Sequence, residues 1–174
     1  MTLLRQNYHK FRMKPAISDN EIFGIGLVTY YWSILEGFVD TFTVSATGEK
    51  FMVSNGKRTT VSDRIDHLKR LAEAELKEPW KGRITSSLSL MLDIKGQRDS
   101  VVHGMWGEDR GKTGATLIGK KGNTDKPMDY GKLKDLALQI DKICVSLTDT
   151  FLDASSPTPG KDVTVTEAWA IMKK

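Results

Sequence analysis

From Leu133 to Phe151 one pattern runs without a break: Leu133, Leu136, Ala137, Ile140, Ile143, Cys144, Leu147 and Phe151 fall at steps of three and four. Only an α-helix brings such positions onto one face, so the pattern predicts an amphipathic helix from about Asp129 or Tyr130 to Leu152, closed by Ser155-Ser156-Pro157. An apolar stripe of that width needs other elements to cover it.

Three earlier segments offer the same kind of face. Ser18, followed three residues later by Glu21, forms a capping box, and the chain from Ile22 to about Val44 is apolar at 23, 27, 30, 31, 34, 35, 38 and 42. Further apolar residues at 25, 28, 32 and 39 widen that stripe over most of the circumference, which suggests a central helix with Glu36 partly buried. A second helix, capped by Thr60 or Ser62, carries Val61, Ile65, Leu68, Leu71, Ala72 and Leu76, and Pro79 marks its break. A third is expected from Trp80 or Lys81 to Trp106, with Leu88, Met91, Leu92, Ile94, Val101, Val102 and Met105 in the core and Gly96 as a point of kinking or close contact. Ala46 to Arg58 reads as a loop, and Gly107 to Lys126 as a Gly-, Lys- and Asp-rich insertion. Within the insertion Ala115 to Gly119 suits a strand. The fold expected is all-α: a four- or five-helix up-and-down bundle with a small β-hairpin or loop insertion after the third helix. An arm (1–17), the bundle domain (18–153) and a tail with a short helix (154–174) complete the organisation.

With 174 residues the chain has length for one core. Cys144 is the single cysteine, so neither an internal disulfide nor a zinc cluster is available, and packing alone must hold the fold. The longest apolar stretch, Ile22 to Phe42, is interrupted by Glu36 and Asp40, so no membrane span and a cytoplasmic location are expected. A net charge of +4 favours anionic partners weakly, because 22 acidic residues are mixed with 26 basic ones.

The segment that points to chemistry is Arg98-Asp99-Ser100-Val101-Val102-His103. Arg98 continues the row of Met91 and Ile94, so its guanidinium starts on or beside the apolar face, where a cation needs a partner. Glu36 is the partner expected from across the bundle. Asp99 and His103, four apart, share a neighbouring face on which the carboxylate can hold the imidazole in one tautomer. Gly104 leaves room for close approach, and Trp106 offers a flat face. An arginine and a histidine so placed suit cleavage of RNA: the imidazole moves the proton of the 2′-hydroxyl or of the leaving oxygen, and the guanidinium holds the phosphate. That scheme requires no metal or other cofactor.

The order Arg98, four residues, His103, with polar Asp99 after the arginine and Gly104 after the histidine, resembles the signature of the HEPN (higher eukaryotes and prokaryotes nucleotide-binding) superfamily of helical-bundle ribonucleases. Tyr31-Trp32-Ser33-Ile34-Leu35-Glu36 is also similar to the first helix of bacterial members. The resemblance covers residues 18 to 153 in helix order; its specific part is the Arg-to-His segment, where the residue after the arginine is most often Asn and is Asp here. It implies metal-independent RNA cleavage by Arg98 and His103, with Asp99 orienting them, often in a composite site between two protomers. Members act in toxin–antitoxin modules, phage defence or RNA processing, which implies a homodimer and an antitoxin or other protein partner.

A second reading stands beside this one: a non-catalytic helical module that binds a nucleotide or a protein, with Arg98 as a structural anchor and His103 as an interhelical hydrogen-bonding residue. Trp32 and Trp106 suit a core, and Arg110, Lys112, Lys120 and Lys121 suit a solvated loop. No glycine-rich phosphate-binding motif stands between a strand and a helix.

Overall fold

The computed structural model describes residues 17–48, 59–108, 115–118, 126–156 and 163–174, and backbone alone at 105–108, 115–118 and 126–127. Among the described residues five helices make an all-α bundle: α1 (Asp19–Thr47), α2 (Val61–Glu75), α3 (Trp80–His103), α4 (Tyr130–Ser155) and α5 (Val165–Met172). Caps set most of their starts. Ser18 Oγ accepts from the backbone N–H of Glu21, whose carboxylate accepts from the Ser18 N–H at 2.7 Å. Thr60 with Asp63 and Thr164 with Glu167 repeat that box, and Asp129 Oδ1 accepts from the Lys132 N–H at 2.9 Å. Gly48 closes α1 at φ +72°, a left-handed conformation that glycine adopts without penalty.

α1 and α4 lie side by side and run parallel. A Cβ on Gly24 would meet Leu133 Cβ at 2.8 Å, Cys144 Sγ reaches the Tyr31 carbonyl oxygen at 3.7 Å, and Phe38 and Phe151 line one cavity near the far end. α3 runs against α4: Ser87 Oγ is 3.0 Å from Ser146 Oγ, and Arg83 Nη1 is 2.7 Å from Asp153 Oδ2. α1 and α3 are therefore antiparallel, which departs from the expected strict up-and-down alternation.

The core is one cluster. Val28, Trp32, Leu35, Val39 and Phe42 of α1 meet Ile65, Leu68 and Ala72 of α2, Ile84, Leu88, Met91, Ile94 and Val101 of α3, and the predicted stripe of α4. Of the stripe expected in α1, Leu35 and Phe42 lie in the core, and Val28, Trp32 and Val39 come from the residues that widened it. Phe23 and Tyr30, expected inside, are more than half exposed, while the row through Val28, Trp32 and Val39 forms the core face. α1 also has the length and apolar composition of a membrane span, contrary to the sequence reading. The C-terminal helix is no appendage: Ala168, Trp169 and Met172 are buried, Trp169 Nε1 donates to Glu75 Oε2 at 3.0 Å, and the bundle extends past residue 153.

α3 stops at His103, not at Trp106. Gly104 takes an extended conformation (φ −74°, ψ 158°), and the backbone of β1 (Met105–Glu108) follows at once. β1 pairs antiparallel with β2 (Ala115–Ile118), Trp106 opposite Leu117, and β2 pairs with β3 (Lys126–Pro127). The side chains of Met105 and Trp106 lie outside the described residues, as do Arg110, Lys112, Lys120, Lys121 and the arm up to residue 16. At Gly96 a Cβ would meet nothing within 4 Å, so no close contact explains that glycine.

Candidate functional site

The C-terminal part of α3 carries Lys95, Arg98, Asp99 and His103. Ile94 and Val101 are buried, so Arg98, between them on the same face, emerges at the edge of the core with its side chain 16% exposed. Its guanidinium lies over the buried Trp32 ring of α1, with Cζ 5.3 Å from the centroid. This is a cation–π contact in a largely desolvated place. Nη1 also donates to Asp99 Oδ1 at 3.1 Å and stands 3.5 Å from His103 Nε2. Nε is buried with no hydrogen-bond partner among the described residues.

Asp99 is the anion shared by the group. Its other oxygen accepts from Lys95 Nζ, one turn earlier on α3. Partial burial pushes its carboxyl up, but the hydrogen bonds and charges of Lys95 and Arg98 outweigh that and hold it below the usual aspartate value. Asp99 is therefore a carboxylate at neutral pH, occupied by two cations and not by His103 as the spacing suggested. His103 is exposed at the helix end, next to the half-buried Gly104 cap. At 3.5 Å the guanidinium–imidazole contact is at the outer limit of a hydrogen bond.

Glu36 does not pair with Arg98. One of its oxygens accepts from Trp32 Nε1 and the other from Arg64 Nη2 at 3.2 Å. Arg64 Nη1 also reaches Asp40 Oδ1 at 2.6 Å. The two ion pairs hold Glu36 on the α2 side of α1, one side chain short of Arg98. Sequence reasoning missed Lys95 and Arg64, though both left a signal. Lys95 and Asp99 have the four-residue spacing used for Asp99 and His103, and Arg64 sits beside Ile65 and Leu68 much as Arg98 sits beside Val101.

Chemically, the site offers an anion-seeking guanidinium seated over an aromatic ring, and an exposed imidazole for proton transfer. Among the described residues no three His, Cys, Asp or Glu side chains converge as a metal site would require. Away from the site, burial and the nearby Asp141 push the Cys144 thiol up to about 11, so Cys144 is a neutral core group and no nucleophile at neutral pH. No family model, no curated protein and no solved structure matches the chain.

Proposed function

We propose that the chain is a ribonuclease of the HEPN kind, cleaving RNA without a metal ion through Arg98 and His103. The observation that supports this reading is the pairing at the end of α3, where the Arg98 guanidinium stands 3.5 Å from an exposed His103 imidazole. The 2′-hydroxyl attacks phosphorus, the P–O5′ bond breaks, and a 2′,3′-cyclic phosphate and a 5′-hydroxyl result. Attack releases one proton and departure of O5′ takes one up. His103 handles one of these transfers, and Arg98 binds the charged phosphate oxygens as they gain charge. Asp99 holds Arg98 at the same nitrogen, Nη1, that stands nearest His103.

A single imidazole per chain at this site serves one of the two proton transfers well. A second copy supplies the other, so we read the working form as a homodimer with a composite site. Exposed Phe23 and Tyr30 on α1 and Leu138 and Val145 on α4 offer apolar surface for such an assembly. The strands that follow Gly104 are read here as a small hairpin insertion beside the site. An RNA substrate goes with a cytoplasmic location, and an antitoxin or phage-defence partner goes with the same reading.

The test uses RNA and its 2′-deoxy counterpart, each incubated with the purified protein and a chelator. The expected result is cleavage of RNA alone, with 2′,3′-cyclic phosphate ends. Equal cleavage of the deoxy strand, or none of either, contradicts the proposal.

The packing of Arg98 on Trp32 favours a second reading, in which Arg98 is an anchor of a non-catalytic module that binds a nucleotide or a protein. On that reading, loss of Arg98 destabilises the fold and no RNA is cut.

A further inference from the structure

Arg98 turns Nη1 toward His103 and Asp99, and its Cζ sits over the Trp32 ring, 5.3 Å from the centroid. Because Nε makes no hydrogen bond among the described residues, that edge does nothing to fix the plane of the guanidinium. The ring beneath it does. Trp32 is itself almost wholly buried, and it is fixed at its own N–H, which donates to Glu36. Glu36 is held in turn by Arg64 Nη2 at 3.2 Å, and Arg64 is braced by Asp40 at 2.6 Å. The contacts thus run from α2 through α1 to α3, and every link is a named pair of atoms. Any buried tryptophan needs a partner for its N–H, as Trp169 has in Glu75; the cation on the Trp32 face is what packing does not require.

We propose that Trp32 is a positioning residue: tethered by Glu36 and Arg64, it clamps the Arg98 guanidinium in the plane from which it meets an anion beside His103. Its consequence for catalysis rests on the ribonuclease reading, but the clamp is a property of the folded chain and is measurable without substrate. A phenylalanine at position 32 keeps a ring of smaller face and loses the tether. A leucine removes the face. Glutamine at position 36 keeps an acceptor for the indole while losing the charge that holds Arg64.

The variants are Trp32→Phe, Trp32→Leu and Glu36→Gln, each first shown to be folded by circular dichroism. The first readout is solvent exchange of the Arg98 Nε–H, followed by nitrogen-edited NMR and assigned by its loss in Arg98→Lys. Exchange is expected to be slow in the parent, faster in Glu36→Gln and Trp32→Phe, and faster by at least about tenfold in Trp32→Leu. If Trp32→Leu does not fold, the other two variants carry the same comparison. Exchange unchanged from the parent in the folded variants overturns the clamp. The second readout is RNA cleavage, with kcat expected to fall roughly ten- to hundredfold in Trp32→Phe while KM stays within about twofold. A parent that cuts RNA with a Trp32→Phe variant of equal kcat overturns the positioning role and leaves the ribonuclease reading standing. A parent that cuts no RNA removes the ribonuclease reading, and exchange alone then decides the clamp.

Discussion

At the scale of single residues, the environment of Arg98 decides how much its removal costs. A cation whose only partner is a buried carboxylate leaves several kcal/mol of uncompensated charge behind when it is lost. Asp99 is not in that position, since its side chain is 36% exposed and Lys95 remains bound to it. What Arg98→Ala forfeits is the contact with Trp32 and some packing of its stem. We expect a loss of about 1–2 kcal/mol, seen as a Tm lower by about 2–8 °C; a loss above about 4 kcal/mol would mean a buried partner charge, as in the anchor reading. Two glycines of α1 only two residues apart, on different sides of the helix, make a sharper pair. Gly24→Ala drives a methyl group into Leu133 Cβ, the rigid stalk of that side chain, so α1 and α4 must separate. The cost expected is about 1–3 kcal/mol. Gly26→Ala meets nothing within 4 Å and gains helix propensity of about 0.5–1 kcal/mol. Urea titrations of both variants test the opposite signs.

At the scale of elements, legibility followed contrast. The phase of α4 was legible because polar residues separate its apolar ones on every turn: Leu133, Leu136, Ala137, Ile140, Ile143, Cys144 and Leu147 are buried, while Phe151, expected with them, is half-buried. α1 has too few polar residues to choose a phase, and the stripe through Phe23 and Tyr30 looked as good as the true one through Val28, Trp32 and Val39. That ambiguity hid the contact of Trp32 with Arg98. The end of α3 was placed three residues late because Val101, Val102 and Met105 keep a helical spacing across Gly104, where the backbone turns extended. A spacing of five puts Arg98 and His103 about 140° apart around α3, so their 3.5 Å approach was suggested by the motif and not by the spacing. The partners of Glu36 were not legible, since they depend on where α2 crosses α1. The docking of α5 carries a pH signature. Hydrogen bonds from Lys173 and then Trp169 hold the Glu75 carboxyl below its usual value. A lowered acid contributes stability that is present above the ordinary glutamate pKa and lost as pH falls through the folded one. Between about pH 5 and pH 3 the Tm of Glu75→Gln should therefore fall less steeply than the parent's; equal slopes would remove Glu75 from the acid transition.

At the scale of the whole molecule, five helices hold a cation and an imidazole at the end of α3, on a bundle whose outer faces keep apolar residues in view. The composite-site proposal expects a dimer at micromolar concentration by light scattering, and a monomer that still cuts RNA would show that one chain suffices. The central claim is that Arg98 and His103 act together on a phosphodiester. Rates of RNA cleavage in chelator should be compared for the parent, Arg98→Ala and His103→Ala, with each variant's fold verified. The account predicts that each substitution lowers the rate by at least about a hundredfold and that the parent's fragments end in 2′,3′-cyclic phosphate. Cleavage by both variants at the parent's rate would contradict it.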